Sequence, residues 1–321
     1  MKDELAWLSD ALASNAVVLE WNNFYFGPGF IRATDGRITA QVPHNSQHEA
    51  LVPGKELMRI SKACTVDPKL KVRGEGNVME VRAGRLSARV PVMPGNIDLN
   101  VGEEWEPVPP ELVEKMKRLR PFISSDATHL WAMGLILTPE YLVCTNNVAF
   151  AASRCNDLPE GQGLIVPVWA IDFILSRPDI THWQWQDNYV AFKWHGGAIM
   201  RASLIDATFP GRVLELLEMV EGRGEQPQNV TDEFKQVYSR VGPVADSYID
   251  IYEDRVEVEA GAASITEAVG IKGCAVTGTR WTTKALGVVI DNCHNIDVTT
   301  YPQVCAWQGD DIFGLILGRS K

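Results

Sequence analysis

Paired cysteines are missing from this chain. Its six cysteines, Cys64, Cys144, Cys155, Cys274, Cys293 and Cys305, are scattered, with no Cys-x-x-Cys and no repeated Cys/His spacing. Neither a zinc site nor a disulfide framework is expected from that pattern. Isolated cysteines of this kind are small apolar fillers in a reducing cytoplasm, which makes Asn229-Val230-Thr231 an accidental sequon. Long apolar runs are missing too: none approaches the roughly 20 residues a membrane span needs. The opening Met1-Lys2-Asp3-Glu4-Leu5 has no hydrophobic secretion core and stands at the wrong end for a retention signal. A Gly-rich phosphate loop and a metal-spaced carboxylate cluster are absent, so no cofactor and no metal is expected. Positive charge is scarce, 30 Lys+Arg against 41 Asp+Glu for a net −11. Such a balance opposes a nucleic-acid partner unless the cations gather on one surface. What is present, 45% hydrophobic and 22% charged residues, suits a soluble chain with a substantial core. Its 321 residues ask for two or three domains.

One unit occurs three times. Val52-Pro53-Gly54-Lys55-Glu56-Leu57 opens a short helical stretch to Cys64; Val166-Pro167-Val168-Trp169-Ala170-Ile171 opens one to Arg177; Trp281-Thr282-Thr283-Lys284-Ala285-Leu286 opens one to Cys293. Their starts lie 114 and 115 residues apart, a spacing that points to duplication. Alternating segments follow each stretch: 69–72, 78–81 and a run to Val92; 183–186, 189–194 and 198–205; 296–299, 304–307 and 312–317. Period-2 alternation with Gly, Asn and Asp at the joints predicts antiparallel hairpins.

Amphipathic helices are expected at Glu4–Ser14, Glu111–Arg120 and Asp232–Val241, the second with an apolar stripe of Leu112, Val113, Met116 and Leu119. Hairpins follow, turning at Thr34-Asp35-Gly36-Arg37 and Thr145-Asn146-Asn147-Val148, residue types that tolerate positive φ. Acidic, Pro-rich Asn100–Pro110 and polar Glu221–Val230 are the linkers. The result is an α+β chain of three duplicated domains, 1–105, 106–220 and 221–321, each with two helices packed on antiparallel sheets.

On these residues the sequence resembles the bacterial-type DNA sliding clamps, the β subunits of replicative polymerases. Val52-Pro53 through Gly84-Arg85 to Met93-Pro94-Gly95 resembles the second half of that family's first domain. Leu119 to Asp126 with Gly134, Thr145 to Ala151, Ile165-Val166-Pro167, Leu204-Ile205-Asp206 and Phe209-Pro210 resemble its middle domain; Phe234-Lys235-Gln236 and the final strand resemble its third. Three features depart from the family: the chain begins on a helix, Thr145-Asn146-Asn147-Val148-Ala149-Phe150 replaces a Thr-Asp-Gly-His-Arg-Leu turn, and the loop after Phe209-Pro210 is two residues shorter. A divergent, phage-encoded member would show such changes.

The resemblance implies a head-to-tail homodimer closing six domains into a ring around double-stranded DNA, with helices lining the hole. Function would be that of a processivity factor holding DNA polymerase and clamp loader through short linear peptides, in the cytoplasm, or the host cytoplasm for a phage protein, with no membrane contact. Enclosure needs only a diffuse positive field, because phosphate contacts carry no sequence information. Channel candidates are Lys55, Arg59 and Lys62, on one helix face at i, i+4, i+7; Lys115, Lys117, Arg118 and Arg120; and Lys235, Arg240 and Lys284. The stripe is uneven, for Trp169, Phe173 and Ser176 take its place in the second repeat, and Val288 and Asp291 replace Arg59 and Lys62 in the third. The implied partner-peptide cleft comprises Ala132, Thr145, Asn147, Val148, Phe150, Pro210, Val213, Leu315 and Leu317. The dimer interface would pair a strand edge carrying Ala88 and Val90 with domain three, above Pro243 and Val244.

Catalysis is not expected. Asp126 with His129, and Cys293 with His294, lack a third orienting group. Trp183, Trp185 and Trp194 suit sheet packing rather than base stacking. The competing class is a structural or assembly protein, such as a virion component built from duplicated β-rich domains.

Overall fold

The computed structural model of the chain describes residues 1–14, 16–73, 77–159, 163–208, 210–221, 228–268, 274 and 276–320. Elements run in chain order as α1 (Lys2–Leu8), β1 (Asn23–Gly27), β2 (Phe30–Thr34), β3 (Ile38–Pro43), β4 (Ala50–Pro53), α2 (Gly54–Ala63), β5 (Lys69–Arg73), β6 (Val78–Ala83) and β7 (Leu86–Pro91). The second stretch holds β8 (Glu106–Pro107), α3 (Leu112–Leu119), β9 (Gly134–Leu137), β10 (Tyr141–Thr145), β11 (Ala149–Arg154), β12 (Leu164–Pro167), α4 (Val168–Leu175), β13 (Ile180–Gln186), β14 (Tyr189–Trp194), β15 (Ile199–Ser203) and α5 (Arg212–Glu221). The last holds α6 (Asp232–Val241), β16 (Tyr248–Ile251), β17 (Arg255–Ala260), β18 (Ala263–Ala268), β19 (Thr279–Thr282), α7 (Thr283–Ile290), β20 (Asn295–Asp297), β21 (Val304–Gln308) and β22 (Phe313–Leu317).

The chain forms two compact units that cut across the sequence repeats. Unit one is Met1–Val108 with Asp172–Leu204. It contains an antiparallel sheet ordered β4-β1-β2-β3-β15-β14-β13-β8 and a three-stranded sheet β5-β6-β7. Its centre is the junction of β3 with β15, where Ile38 faces Ala202 and Thr39 faces Arg201. Phe24, Phe26, Ile31, Trp183 and Phe192 are fully buried in it. Trp183 and Trp194 serve the packing expected of them: the Trp183 ring lies 6.2 Å from Phe192, and Trp194 meets Trp7 edge-on at 5.3 Å. The Arg177 guanidinium stacks 3.9 Å from the Phe173 ring and donates to the Trp7 carbonyl at 2.6 Å, fixing α1 in place.

Unit two is Pro109–Ile171 with Ile205–Lys321. Its main sheet is ordered β12-β9-β10-β11-β22-β21-β20, and a second is ordered β18-β17-β16-β19. The first is covered on both faces. On one face α3 brings the Leu119 carbonyl to the Cys144 thiol at 3.3 Å, and Phe122 stacks on buried Trp307 at 5.3 Å and 10°. On the other face Leu217 and Val220 of α5 join Val143, Phe150, Ala306 and Leu315 in one apolar cluster. Gly314 is required where β22 meets β11, because a Cβ there would stand 1.9 Å from the Phe150 carbonyl oxygen.

The duplication extends to individual hydrogen bonds. In the β2–β3 turn Thr34 Oγ1 donates to the Ile38 carbonyl at 2.7 Å, and Asp35 Oδ1 accepts from the Arg37 and Ile38 amides. In the β10–β11 turn Thr145 Oγ1 donates to the Ala149 carbonyl at 2.8 Å, and Asn146 Oδ1 accepts from the Val148 and Ala149 amides. Gly36 and Asn147 hold the positive φ, +87° and +68°. The third copy is tighter, with Ala260 paired to Ala263 across Gly261. Single 3-10 turns, Ser9–Ala11, Arg120–Phe122 and Gly242–Val244, follow α1, α3 and α6 alike.

Several expectations shift. The first helix ends at Leu8 instead of Ser14, continuing only as the 3-10 turn Ser9–Ala11. Within the expected 100–110 linker, Glu106 and Pro107 pair with Trp183 and His182 as strand β8. Residues 222–227 of the other linker, and Phe209, lie outside the described residues. Helix α5 is an element the sequence does not announce, because Pro210-Gly211 reads as a strand closure and hides the stripe Leu216, Leu217, Val220 behind it. Among the described residues, no helix is long and apolar enough to cross a membrane, and no group of three or more His, Cys, Asp or Glu could hold a metal ion.

All six cysteines are buried. Burial pushes the Cys293 thiol up to about 12 and raises Cys144, Cys155 and Cys274 as well. The folded chain therefore keeps thiol protons that an unfolded chain releases near its ordinary thiol pKa. Stability is then retained below about pH 8.5 and falls as pH rises, by up to about 1.4 kcal/mol per pH unit for each such thiol. A thiol-reactive chromophore should label none of the six at neutral pH in the native protein and all six in denaturant.

Candidate functional site

Three features of these units could carry a function: a cationic helix set, an apolar face and two open strand edges. Of the ten candidate cations, Lys55, Arg59 and Lys62 are exposed along α2, while Gly54, Leu57 and Ser61 bury its opposite side. Lys117 and Lys284 are exposed as well, and these five have no hydrogen-bond or ion-pair partner among the described residues. The other five are engaged. Lys115 is 8% exposed, pairs with Glu111 and donates to the Arg154 carbonyl at 2.5 Å, so it, rather than half-buried Val113, completes the buried face with Leu112, Met116 and Leu119. Arg118 pairs with Glu114 at 3.7 Å and with Asp311. Arg120 also has a partner. Lys235 donates to the Cys293 carbonyl at 2.9 Å, as Lys2 does to that of Cys64, tying first to second helix in the first and third repeats. Arg240 donates to Glu267 on β18 at 3.0 Å.

The apolar face lies on the α5 side of the main sheet in unit two. Strand register stacks its side chains in rows. Ala306, Leu315, Phe150 and Thr145 form a buried row across β21, β22, β11 and β10. One step outward, Val304 pairs with Leu317, whose amide donates to the Val148 carbonyl at 2.9 Å. Leu317 and Val148 are half-buried and Val304 is 39% exposed, so this outer row is accessible. Thr145 is committed to the turn, Asn147 is exposed at its positive-φ position, and Pro210 is exposed before α5. Ala132 is buried in the turn before β9, and its neighbour Trp131 is the residue that packs on the cluster. The Val213 side chain lies outside what the structure describes. Sequence reasoning missed Val304 and the α5 residues Leu216 and Leu217; alternation along 304–307 and the 216/217/220 spacing were the available signals.

Two six-residue strands end their sheets without a neighbour among the described residues, β7 in unit one and β18 in unit two. On β7, Val90 is buried and Ala88 half-buried, while Ser87 and Arg89 face outward. On β18, Ile265 and Glu267 are half-buried and Ser264 and Thr266 exposed. The turn carrying Pro243 and Val244 packs against β17, and Val244 is 48% exposed.

The residues weighed for catalysis are occupied otherwise. Asp126 accepts from the Thr128 amide and hydroxyl at 2.9 and 2.7 Å, which stabilises its anion and holds the carboxyl below the usual range. Cys293 keeps its proton at neutral pH through burial.

No family model matches the sequence, and no curated protein sequence matches it. Its backbone does match solved structures. Superposed on the beta sliding clamp of Caulobacter crescentus, it gives a TM-score of 0.80 at 16% identity, covering 100% of this chain and 96% of that one. The chain has the sliding-clamp fold. The beta subunit of DNA polymerase III from Thermotoga maritima gives 0.76 at 15% identity, over 100% and 97% of the two chains. The Helicobacter pylori beta clamp, solved with a DNA ligase peptide, gives 0.78 at 14% identity over 99% and 97%. The clamp fold thus spans the whole length, while few of its side chains coincide with those of any of these clamps.

Proposed function

We propose that the protein is a DNA polymerase processivity factor: a non-enzymatic clamp of three domains, 1–105, 106–220 and 221–321, whose two copies close head to tail around duplex DNA. The exposed cations Lys55, Arg59, Lys62, Lys117 and Lys284 supply the field along the duplex, with Arg118, Arg120 and Arg240 adding charge at its edge. DNA polymerase and clamp loader dock by short peptides on the outer row, Val148, Leu317 and Val304, against Phe150, Leu315 and α5. Its place of action is the cytoplasm.

One observation carries this reading. Triplication implies three equivalent strand junctions, and two are closed within the chain, β3 with β15 and β11 with β22. The third would join β18 to β7, whose outer edges have no strand neighbour among the described residues, and a heterologous contact between two copies satisfies both at once. Register follows from the repeats. Thr39, Phe150 and Ala263 each close their front hairpin, opposite Thr34, Thr145 and Ala260. Leu86, Ile199 and Phe313 close the back hairpins, opposite Ala83, Lys193 and Gln308. Since Thr39 faces Arg201 and Phe150 faces Leu315, Ala263 of one copy should face Ala88 of the other, and Ser264 should face Ser87.

The test is a ring locked on DNA. Ser87→Cys with Ser264→Cys places two thiols on the outer face as a cross-strand pair, within disulfide reach. Oxidation in the presence of nicked circular plasmid should give a covalent dimer that stays with the circle in about 1 M salt, where phosphate contacts are screened, and leaves when a restriction enzyme linearises it. Absence of the crosslink, or retention indifferent to linearisation, rejects the ring.

A further inference from the structure

We propose that unit one carries a second docking groove, for an acidic peptide with apolar anchors, beside the first turn of α2. Val17, Val18 and Leu19 are 103%, 39% and 48% exposed, three consecutive apolar residues on the surface. The segment is held in place. Asn22 accepts from the Ala16 amide at 3.0 Å and donates to the Ala16 carbonyl at 2.7 Å, while Asn23 donates to the Leu19 carbonyl at 2.5 Å. Leu19 lines a groove of about 820 Å³, whose apolar wall is completed by Leu12, Ala16, Pro53, Met58 and Met93. That volume is in the range of small-ligand and peptide pockets, and two methionines give it an adaptable wall.

Charge selects the occupant. The groove reaches Lys55 and Glu56 and continues into a second depression of about 360 Å³ lined by Lys55, Glu56, Met58, Arg59 and Lys62. Three cations against one carboxylate make this continuation positive. An apolar segment seated against Leu19 and flanked by aspartate or glutamate would therefore bury its anchors in the groove and set its acidic flank against α2. A lysine-flanked segment would meet like charge. The site lies wholly in unit one and does not depend on the clamp reading.

The test uses the full chain without DNA and two fluorescein-labelled nine-residue peptides, each with a Leu-Leu-Phe centre, one flanked by aspartates and one by lysines. Fluorescence anisotropy should show saturable binding of the acidic peptide, with the lysine peptide at least about tenfold weaker. Leu19→Asp, at an already exposed position, should weaken the acidic peptide about tenfold or more, and Lys55→Glu several-fold. Val304→Asp, in the unit-two face, should leave it unchanged. The proposal is overturned if neither peptide saturates, if the two bind alike, if Leu19→Asp and Lys55→Glu both leave binding unchanged, or if Val304→Asp alone abolishes it.

Discussion

Replacing Val244 by aspartate is expected to turn a dimer into a folded monomer. Val244 sits on the single turn after α6, half-exposed in the isolated chain, so a carboxylate there leaves the monomer's core untouched. In the proposed ring the turn lies beneath the β7–β18 junction, and closure would bury that carboxylate without a partner. Burial of an unpaired polar or charged group, together with the lost valine contacts, costs about 3 kcal/mol per interface. A closed head-to-tail dimer has two such interfaces, so the loss is about 6 kcal/mol, or a ten-thousandfold rise in the dissociation constant. Sedimentation of the variant should report one subunit mass with an unchanged circular dichroism spectrum, and retention on circular plasmid should vanish. An intact dimer would place the interface elsewhere.

The second large effect concerns the outer face of unit two. Leu317→Asp and Val304→Asp change side chains that are half-buried and 39% exposed, so folding should survive both. Each puts a charge in the row a partner peptide would cover, and loss of a central apolar anchor costs about 2 kcal/mol or more, upward of thirtyfold in affinity. Either variant should still form rings and remain on circular DNA. Primer extension by the cognate polymerase should nevertheless fall to the short products made without the protein. Phe150→Asp is a poorer probe, because Phe150 is 6% exposed and lies within the cluster held by α5, so stability and binding would fail together. Long products from both outer-row variants would remove the cleft from this face.

Separating ring closure from peptide docking in this way uses the position of each residue in its sheet, which repeat spacing could not supply. Spacing did supply the frame. The helices at 54–63, 168–175, 232–241 and 283–290 and the hairpins after them fall where periodicity put them, since local alternation and Gly, Asp and Asn turns act over a few residues. The turns at Asp35-Gly36 and Asn146-Asn147 were legible for the same reason and carry the expected positive φ.

Long-range pairing was not legible. Nothing in the strings Ile38–Pro43 or Ile199–Ser203 announces that they pair across more than 150 residues, and although the first unit boundary falls in the 100–110 linker, those after Ile171 and Leu204 fall where no linker composition marks them. Helix α5 escaped because Pro-Gly serves equally to end a strand and to start a helix. The fate of the cations was hidden as well: Lys115 and Lys235 look like their exposed neighbours in sequence, yet each reaches a backbone carbonyl in the adjoining segment.

By itself the sequence determined a threefold repeat, the type and approximate bounds of most elements, and a resemblance to clamps, because duplication and side-chain period are local and survive divergence. Only the tertiary structure decided which lysines face solvent, which apolar residues of β21 and β22 stay accessible, and that β7 and β18 each keep one edge unpaired where the equivalent strands of the other repeats are joined. Those outcomes depend on backbone hydrogen bonds between distant segments, and a backbone amide carries no mark in the sequence of the carbonyl it will meet.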